Sequence, residues 1–175
     1  MTDTERVLVG RESTPEPPGV GSSTLGQVLQ LNELNEYTGR RGVVVLSSAG
    51  KRSAMRKDGF SVFPAVPGLI SETLRILRPG AFVLDGNALD EGPWAGAMTD
   101  AAPELLAELT EAVETARDLK LPIYWLGEVP ADPEHPLVPL AEHLLVVTPG
   151  SELYEGTVEG APPSRLVRVL RTIAS

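Results

Sequence analysis

The sequence predicts an α/β fold built on a single doubly wound, mostly parallel sheet with helices on both faces. Short β-rich runs alternate with stretches of helical periodicity along the chain, which is the pattern of strands joined by crossover helices. Several of the runs are continuously apolar, as expected for parallel strands that are buried on both faces. A chain of 175 residues with 42% hydrophobic content suits one core, so we predict one Rossmann-like domain over residues 1–175.

The first half of the chain contributes three predicted strands and two predicted helices. A strand over residues 6–10 leads into a proline-rich irregular loop over 11–23. Leucine and valine at helical spacing then predict a helix over 24–37, and Gly39 stands where it ends. The other predicted elements of this half are strands over 43–46 and 60–66, a small basic loop over 47–59 between them, and a helix over 67–77.

The second half continues the same alternation. A short buried strand over 82–84 is followed by a loop over 88–98 that is rich in glycine and acid. Pro103 suits the first turn of a long helix with glutamates on its solvated side. Strands are predicted over 121–126 and 144–147 with a short helix over 136–142 between them, and 155–175 form a C-terminal tail. Residues 164–175 fit both an edge strand and a helical stripe, and we predict the strand.

Composition limits the possible chemistry. The formal net charge of −9 argues against broad contact with a nucleic-acid backbone, which requires a basic face. The chain has no cysteine and two histidines, so disulfides and thiolate chemistry are excluded and neither a metal nor a cofactor is expected. No apolar run approaches the roughly 18 residues of a membrane span, and no signal peptide is evident, so we expect a cytoplasmic protein.

A glycine- and serine-rich segment near the N-terminus is the first candidate site. Gly19, Gly21, Ser22 and Ser23 precede the helix predicted over 24–37. Backbone N–H groups at the start of a helix favour a phosphate or a sugar hydroxyl. The segment matches neither the dinucleotide fingerprint nor the phosphate-binding loop motif of nucleoside triphosphatases.

Polar residues that follow the strand over 82–84 form the second candidate site. Asp85 and Asn87 are predicted to face the same crevice as the glycine-rich segment, because ligands bind at the carboxyl ends of parallel strands. The alternative is that they only complete a turn. Trp94 is either a plug for its loop or a flat surface for a sugar ring. The basic residues of 51–57 either meet a phosphorylated ligand or an acidic partner, or belong to a solvated loop.

The loop after the strand over 121–126 holds the densest group of ionisable residues: Glu128, Asp132, Glu134 and His135. A carboxylate beside an imidazole is the usual equipment of general base catalysis, so Glu128 and His135 are the candidate catalytic residues. A surface loop without chemistry is the main alternative. A divalent metal site formed by these side chains is a weaker alternative, because the geometry of a loop interrupted by prolines cannot be predicted from the sequence.

Several segments together resemble a known family. The strand VVVLSSAGKR and the segments PGAFVLDGNALDEGPWAGAM, LPIYWLGEVPADPEHPLVPLAEH and LLVVTPGSELYEG are similar in order and spacing to the N-terminal, acceptor-side domain of GT-B glycosyltransferases of the spore-maturation-protein (CgeB-like) type. The resemblance implies that Gly19, Gly21 and Ser22 lie near the acceptor cleft and that Glu128 and His135 lie in the acidic loop. Ser151, in the turn after the last strand, is added as a candidate ligand-binding residue.

The resemblance covers one half of a GT-B enzyme, and the nucleotide-sugar donor domain has no counterpart in this sequence. We therefore expect a truncated or split glycosyltransferase half that binds a sugar or glycan acceptor and works with a donor-binding partner chain. The alternative is a structural or adaptor subunit of a larger assembly. A small hydrolase is a third possibility, since residues 82–125 also resemble isochorismatase-like hydrolases, but those enzymes require a cysteine. Whether the chain is an enzyme stays open.

Overall fold

The computed structural model describes residues 42–149 and 164–174. The helices and strands in these residues are β1 (Gly42–Leu46), α1 (Ala49–Lys57), β2 (Ser61–Pro64), α2 (Ile70–Leu77), β3 (Ala81–Asp85), α3 (Pro103–Asp118), β4 (Ile123–Leu126), α4 (Val138–Ala141), β5 (Leu145–Val147) and α5 (Arg165–Ile173). Two short 3-10 turns, Gly86–Leu89 and Gly92–Trp94, lie between β3 and α3. The strand predicted over 6–10 and the helix predicted over 24–37 lie outside the described residues.

The five strands form one parallel sheet in the order β2-β1-β3-β4-β5. The central strand β1 pairs with β2 on one side, where Val44 is opposite Phe63, and with β3 on the other, where Val44 is opposite Phe82. The predicted α/β class with a doubly wound sheet is confirmed. This strand order is that of flavodoxin-like sheets, in which a crevice opens at the carboxyl ends of the first and third strands.

Helices cover both faces of the sheet. Alternate residues of β3 point to opposite faces, so Phe82 and Leu84 pack with α2 and α3, whereas Val83 packs with α1 and α5. All five residues of β3 are buried. The continuous apolar runs of the sequence follow from this burial on two faces.

Residues 49–57 form the helix α1, so the prediction of a loop over 47–59 is wrong. Ser48 caps the helix with φ −62° and ψ 156°, and its side chain accepts a hydrogen bond from the Lys51 N–H at 3.4 Å. Met55 is the buried side chain of α1. A single large apolar residue gives no readable stripe, which is why periodicity does not predict this helix.

The C-terminal segment is also a helix, so the predicted edge strand is wrong. Ser164 caps α5 and accepts a hydrogen bond from the Val167 N–H at 3.2 Å. Val167 and Leu170, three residues apart, are both fully buried against the sheet. Val169 is buried as well, so the apolar side of the helix is broad. Apolar residues at both 167 and 169 give the alternation that is also typical of a strand.

The other elements begin and end close to the predicted positions. The predicted strand over 60–66 is shorter, as β2 ends at Pro64, and the helix predicted from Pro67 begins at Ile70. Among the helices of residues 42–149 and 164–174, none has the length and apolar character to cross a membrane.

Candidate functional site

A cleft with a volume of about 730 Å³ opens where β1, β2 and β3 end. This volume falls in the usual range of small-molecule sites, about 300–1,000 Å³. Its position, at the divergence of β1 from β3, is where doubly wound sheets bind ligands. Its lining includes Ser48, Lys51, Val66, Asp85, Asn87 and Pro93.

An ion pair lies in the cleft wall. Lys51 Nζ, from the first turn of α1, is 3.0 Å from Oδ1 of Asp85, the last residue of β3. The Asp85 side chain is 1% exposed and that of Lys51 is 18% exposed. The second carboxylate oxygen of Asp85, Oδ2, is buried and has no hydrogen-bond partner among the described residues. A buried polar atom without a partner is costly, and a bound ligand is one of the explanations for its presence.

The start of α1 forms the neighbouring part of the wall. Ser48 and Ala49 are exposed and line the cleft, and Gly50, which follows them, is exposed as well. Arg52 is also in the first turn, and its guanidinium donates a hydrogen bond to the carbonyl oxygen of Ser47. The α1 end of the cleft therefore combines free backbone donors with two cationic side chains.

Another part of the cleft lining, around Val66, Pro93 and Trp94, is apolar. Trp94 is 3% exposed, and its indole Nε1 donates a hydrogen bond to the carbonyl oxygen of Ala65 at 3.0 Å. The bond ties the 3-10 turn after β3 to the segment after β2. Val66, beside this bond, is 46% exposed and lines the cleft with Pro93. Trp94 thus acts as the plug of its loop, which was one of the two predicted roles.

Three of the predicted ligand-binding residues, Asp85, Asn87 and Trp94, lie together in the cleft lining. The others, Gly19, Gly21, Ser22, Ser23 and Ser151, lie outside the described residues.

The structure places the two candidate catalytic residues beyond the cleft lining. Glu128 is exposed after β4, and its backbone carbonyl accepts a hydrogen bond from Trp125 Nε1 at 3.3 Å. His135 Nδ1 accepts a hydrogen bond from the Leu137 N–H at 3.1 Å. Within residues 42–149 and 164–174, no hydrogen bond joins the side chains of Glu128 and His135, and their catalytic role stays a prediction.

The sequence pattern offers Lys51 only as one of the basic residues of a loop over 51–57, and it does not indicate Ser48 as a site residue. The sequence does contain an indication of this helix, because a serine that follows an apolar strand, as Ser48 does, is a candidate helix N-cap. Recognition of that cap would have placed a helix start at the carboxyl end of β1.

In the part of the chain that the structure describes, no group of three or more histidine, aspartate or glutamate side chains is arranged to hold a metal ion. Comparison with protein-family models, curated proteins and solved structures finds no significant match.

Proposed function

We propose that this domain binds a sugar or a similar hydroxyl-rich small molecule in the cleft at the ends of β1, β2 and β3. The observation that carries the proposal is the buried Asp85 in the lining of that cleft, whose Oδ2 has no hydrogen-bond partner among the described residues. A ligand hydroxyl supplies the donor that this oxygen lacks. A hydrogen bond to a charged acceptor contributes about 1.5–3 kcal/mol, so one such contact has a measurable effect on affinity.

The other polar groups of the cleft suit the same kind of ligand. Lys51 has N–H donors beyond the one directed at Asp85, and the Asn87 amide carries both donors and an acceptor. Val66 and Pro93 add apolar surface to the same lining, which suits the C–H face of a sugar ring. A few polar groups that converge on a largely apolar cleft are typical of small-molecule sites.

The more specific proposal is that the domain is the acceptor-side half of a glycosyltransferase-like protein, with the nucleotide-sugar bound by a partner chain. The sequence resemblance to GT-B enzymes and the hydroxyl-accepting Asp85 support it. In this proposal Asp85 binds and orients the acceptor hydroxyl.

The experiment is a calorimetric titration of the full chain with a panel of free hexoses, short glycans and nucleotide-sugars. We expect binding of a free sugar or glycan, and Asp85→Asn should weaken it about tenfold or more. The control is Asp118→Asn, which removes an equal charge from an exposed residue at the end of α3 and should leave the affinity unchanged. Absence of binding to the whole panel, together with stable association of the chain with other proteins, would favour the structural or adaptor alternative.

A further inference from the structure

We propose that the cleft contains a phosphate subsite at the start of α1, so that its ligand is a phosphate monoester of a hydroxyl-bearing molecule such as a sugar. This inference rests on the proposed function, because it concerns the same cleft. It adds the class of the ligand and the end of the cleft that the anionic group occupies.

The first turn of α1 carries positively charged side chains, which are unfavourable at the start of a helix. The N-terminus of a helix has a partial positive charge and is stabilised by acidic residues or by anions. In α1 the first turn contains no acid, and the basic residues Lys51 and Arg52 stand three and four positions after the cap. Among residues 42–149 and 164–174, Lys51 is the cation that pairs with Asp85, so Arg52 is left without that compensation. A bound dianion would compensate the remaining positive charge.

The backbone N–H groups at the start of α1 can donate hydrogen bonds to an anion. The first N–H groups of a helix have no acceptor within it, so those of Ala49 and Gly50 are available. Ala49 lines the cleft, Gly50 beside it is exposed, and α1 is nine residues long. The Ser48 hydroxyl oxygen accepts from the Lys51 N–H, which leaves its own hydrogen free to donate.

The buried Oδ2 of Asp85 is an independent observation that points to a ligand in the same cleft. The negative charge of a carboxylate repels a phosphate, so Asp85 would not favour inorganic phosphate by itself. A ligand with a phosphate at one end and a hydroxyl near it satisfies both groups, and Lys51 lies between them. Asp90 and Glu91 line the cleft as well, and their charges favour the ligand orientation in which the phosphate lies at α1.

Gly50 offers a test that separates binding from folding. A Cβ at this position meets open space, since the nearest heavy atom is Ser48 Oγ at 4.0 Å. Gly50→Asp places a carboxylate in the first turn, where it suits the helix but repels a phosphate. Gly50→Asn has nearly the same shape without the charge and serves as the matched control. The probes are inorganic phosphate, free glucose, galactose and mannose, and phosphate monoesters of the same three sugars.

We expect a phosphate monoester to bind about tenfold to a hundredfold more tightly than its free sugar, as one or two charge-assisted hydrogen bonds would give. Gly50→Asp should remove most of that advantage without lowering the unfolding temperature, while Gly50→Asn should keep most of it. The inference is overturned if a free sugar binds and its phosphate ester binds no more tightly, or if Gly50→Asp has no effect on the ester. The proposed function itself fails if neither the sugars nor their esters bind.

Discussion

Lys51 Nζ and Asp85 Oδ1 lie 3.0 Å apart although the residues are separated by 34 positions in the chain. Lys51 is in α1, which follows β1, and Asp85 ends β3. The connection after β1 leads to α1 on one face of the sheet, the connection after β3 leads to α3 on the other face, and the ion pair links the two. The contact therefore joins the two halves of the doubly wound sheet at the point where its candidate ligand site opens.

The two partners of this pair should differ in their effect on stability. Lys51→Met leaves the buried Asp85 carboxylate without compensation, and we expect a loss of about 3–5 kcal/mol in the free energy of unfolding. Asp85→Asn removes the buried charge, and the more exposed Lys51 can extend its ammonium to water, so a smaller loss is expected. Urea denaturation of both variants checks the order. A smaller loss for Lys51→Met than for Asp85→Asn would contradict this account of the pair.

Gly86 should tolerate no side chain. A Cβ at this position would lie 2.9 Å from Cζ2 of Trp125, a buried ring in the core. We expect Gly86→Ala to destabilise the protein by about 1–3 kcal/mol through overpacking. Gly50→Ala is the matched comparison, since it meets open space within a helix and should stabilise by about 0.5 kcal/mol or more. Thermal unfolding of the two variants measures the contrast, and equal midpoints would refute it.

The indole of Trp94 should hold the apolar wall of the cleft in place. Trp94→Phe keeps most of the buried ring but leaves the Ala65 carbonyl without its donor, so we expect a loss of about 1–3 kcal/mol. Hydrogen exchange should become faster in the segment after β2. Trp125→Phe removes a longer, partly buried bond to the Glu128 carbonyl and should leave exchange in that segment unchanged. Slow exchange there in Trp94→Phe would show that the bond does not position the wall.

The C-terminal helix should contribute to the core of the domain. Leu170 is fully buried on the α5 face that packs on the sheet, so Leu170→Ala should cost about 2–5 kcal/mol. Arg168 lies on the exposed side of the same helix, and Arg168→Ala should change stability by less than about 0.5 kcal/mol. Denaturant unfolding compares the two. A negligible cost for Leu170→Ala would mean that α5 does not pack as described.

The sequence predicts the sheet well because parallel strands buried on both faces leave a strong, continuous apolar signal. β1, β3 and β4 are all fully buried, and each lies within two residues of its predicted bounds. The helices α1 and α5 were missed for a different reason. α1 buries one large side chain, and α5 buries so broad a face that its pattern also fits a strand.

The candidate site was predictable in part. Asp85 and Asn87 follow directly from the rule that ligands bind beyond the carboxyl ends of parallel strands. Lys51 is predicted only as part of a basic loop, because its pairing with Asp85 spans 34 residues and depends on a helix that periodicity does not reveal. The Trp94 plug likewise depends on a bond to Ala65, 29 residues away, which no local pattern contains.

The most direct test of the central claim is a backbone amide NMR titration of the full chain with the sugars and sugar phosphates named above. The account predicts shift changes concentrated at residues 47–52 and 85–94, the two segments that meet at the Lys51–Asp85 pair. Changes concentrated at residues 128–135 instead would place the ligand at the acidic loop around Glu128 and His135. That result, or no shift change with any probe, would contradict the assignment of the cleft as the ligand site.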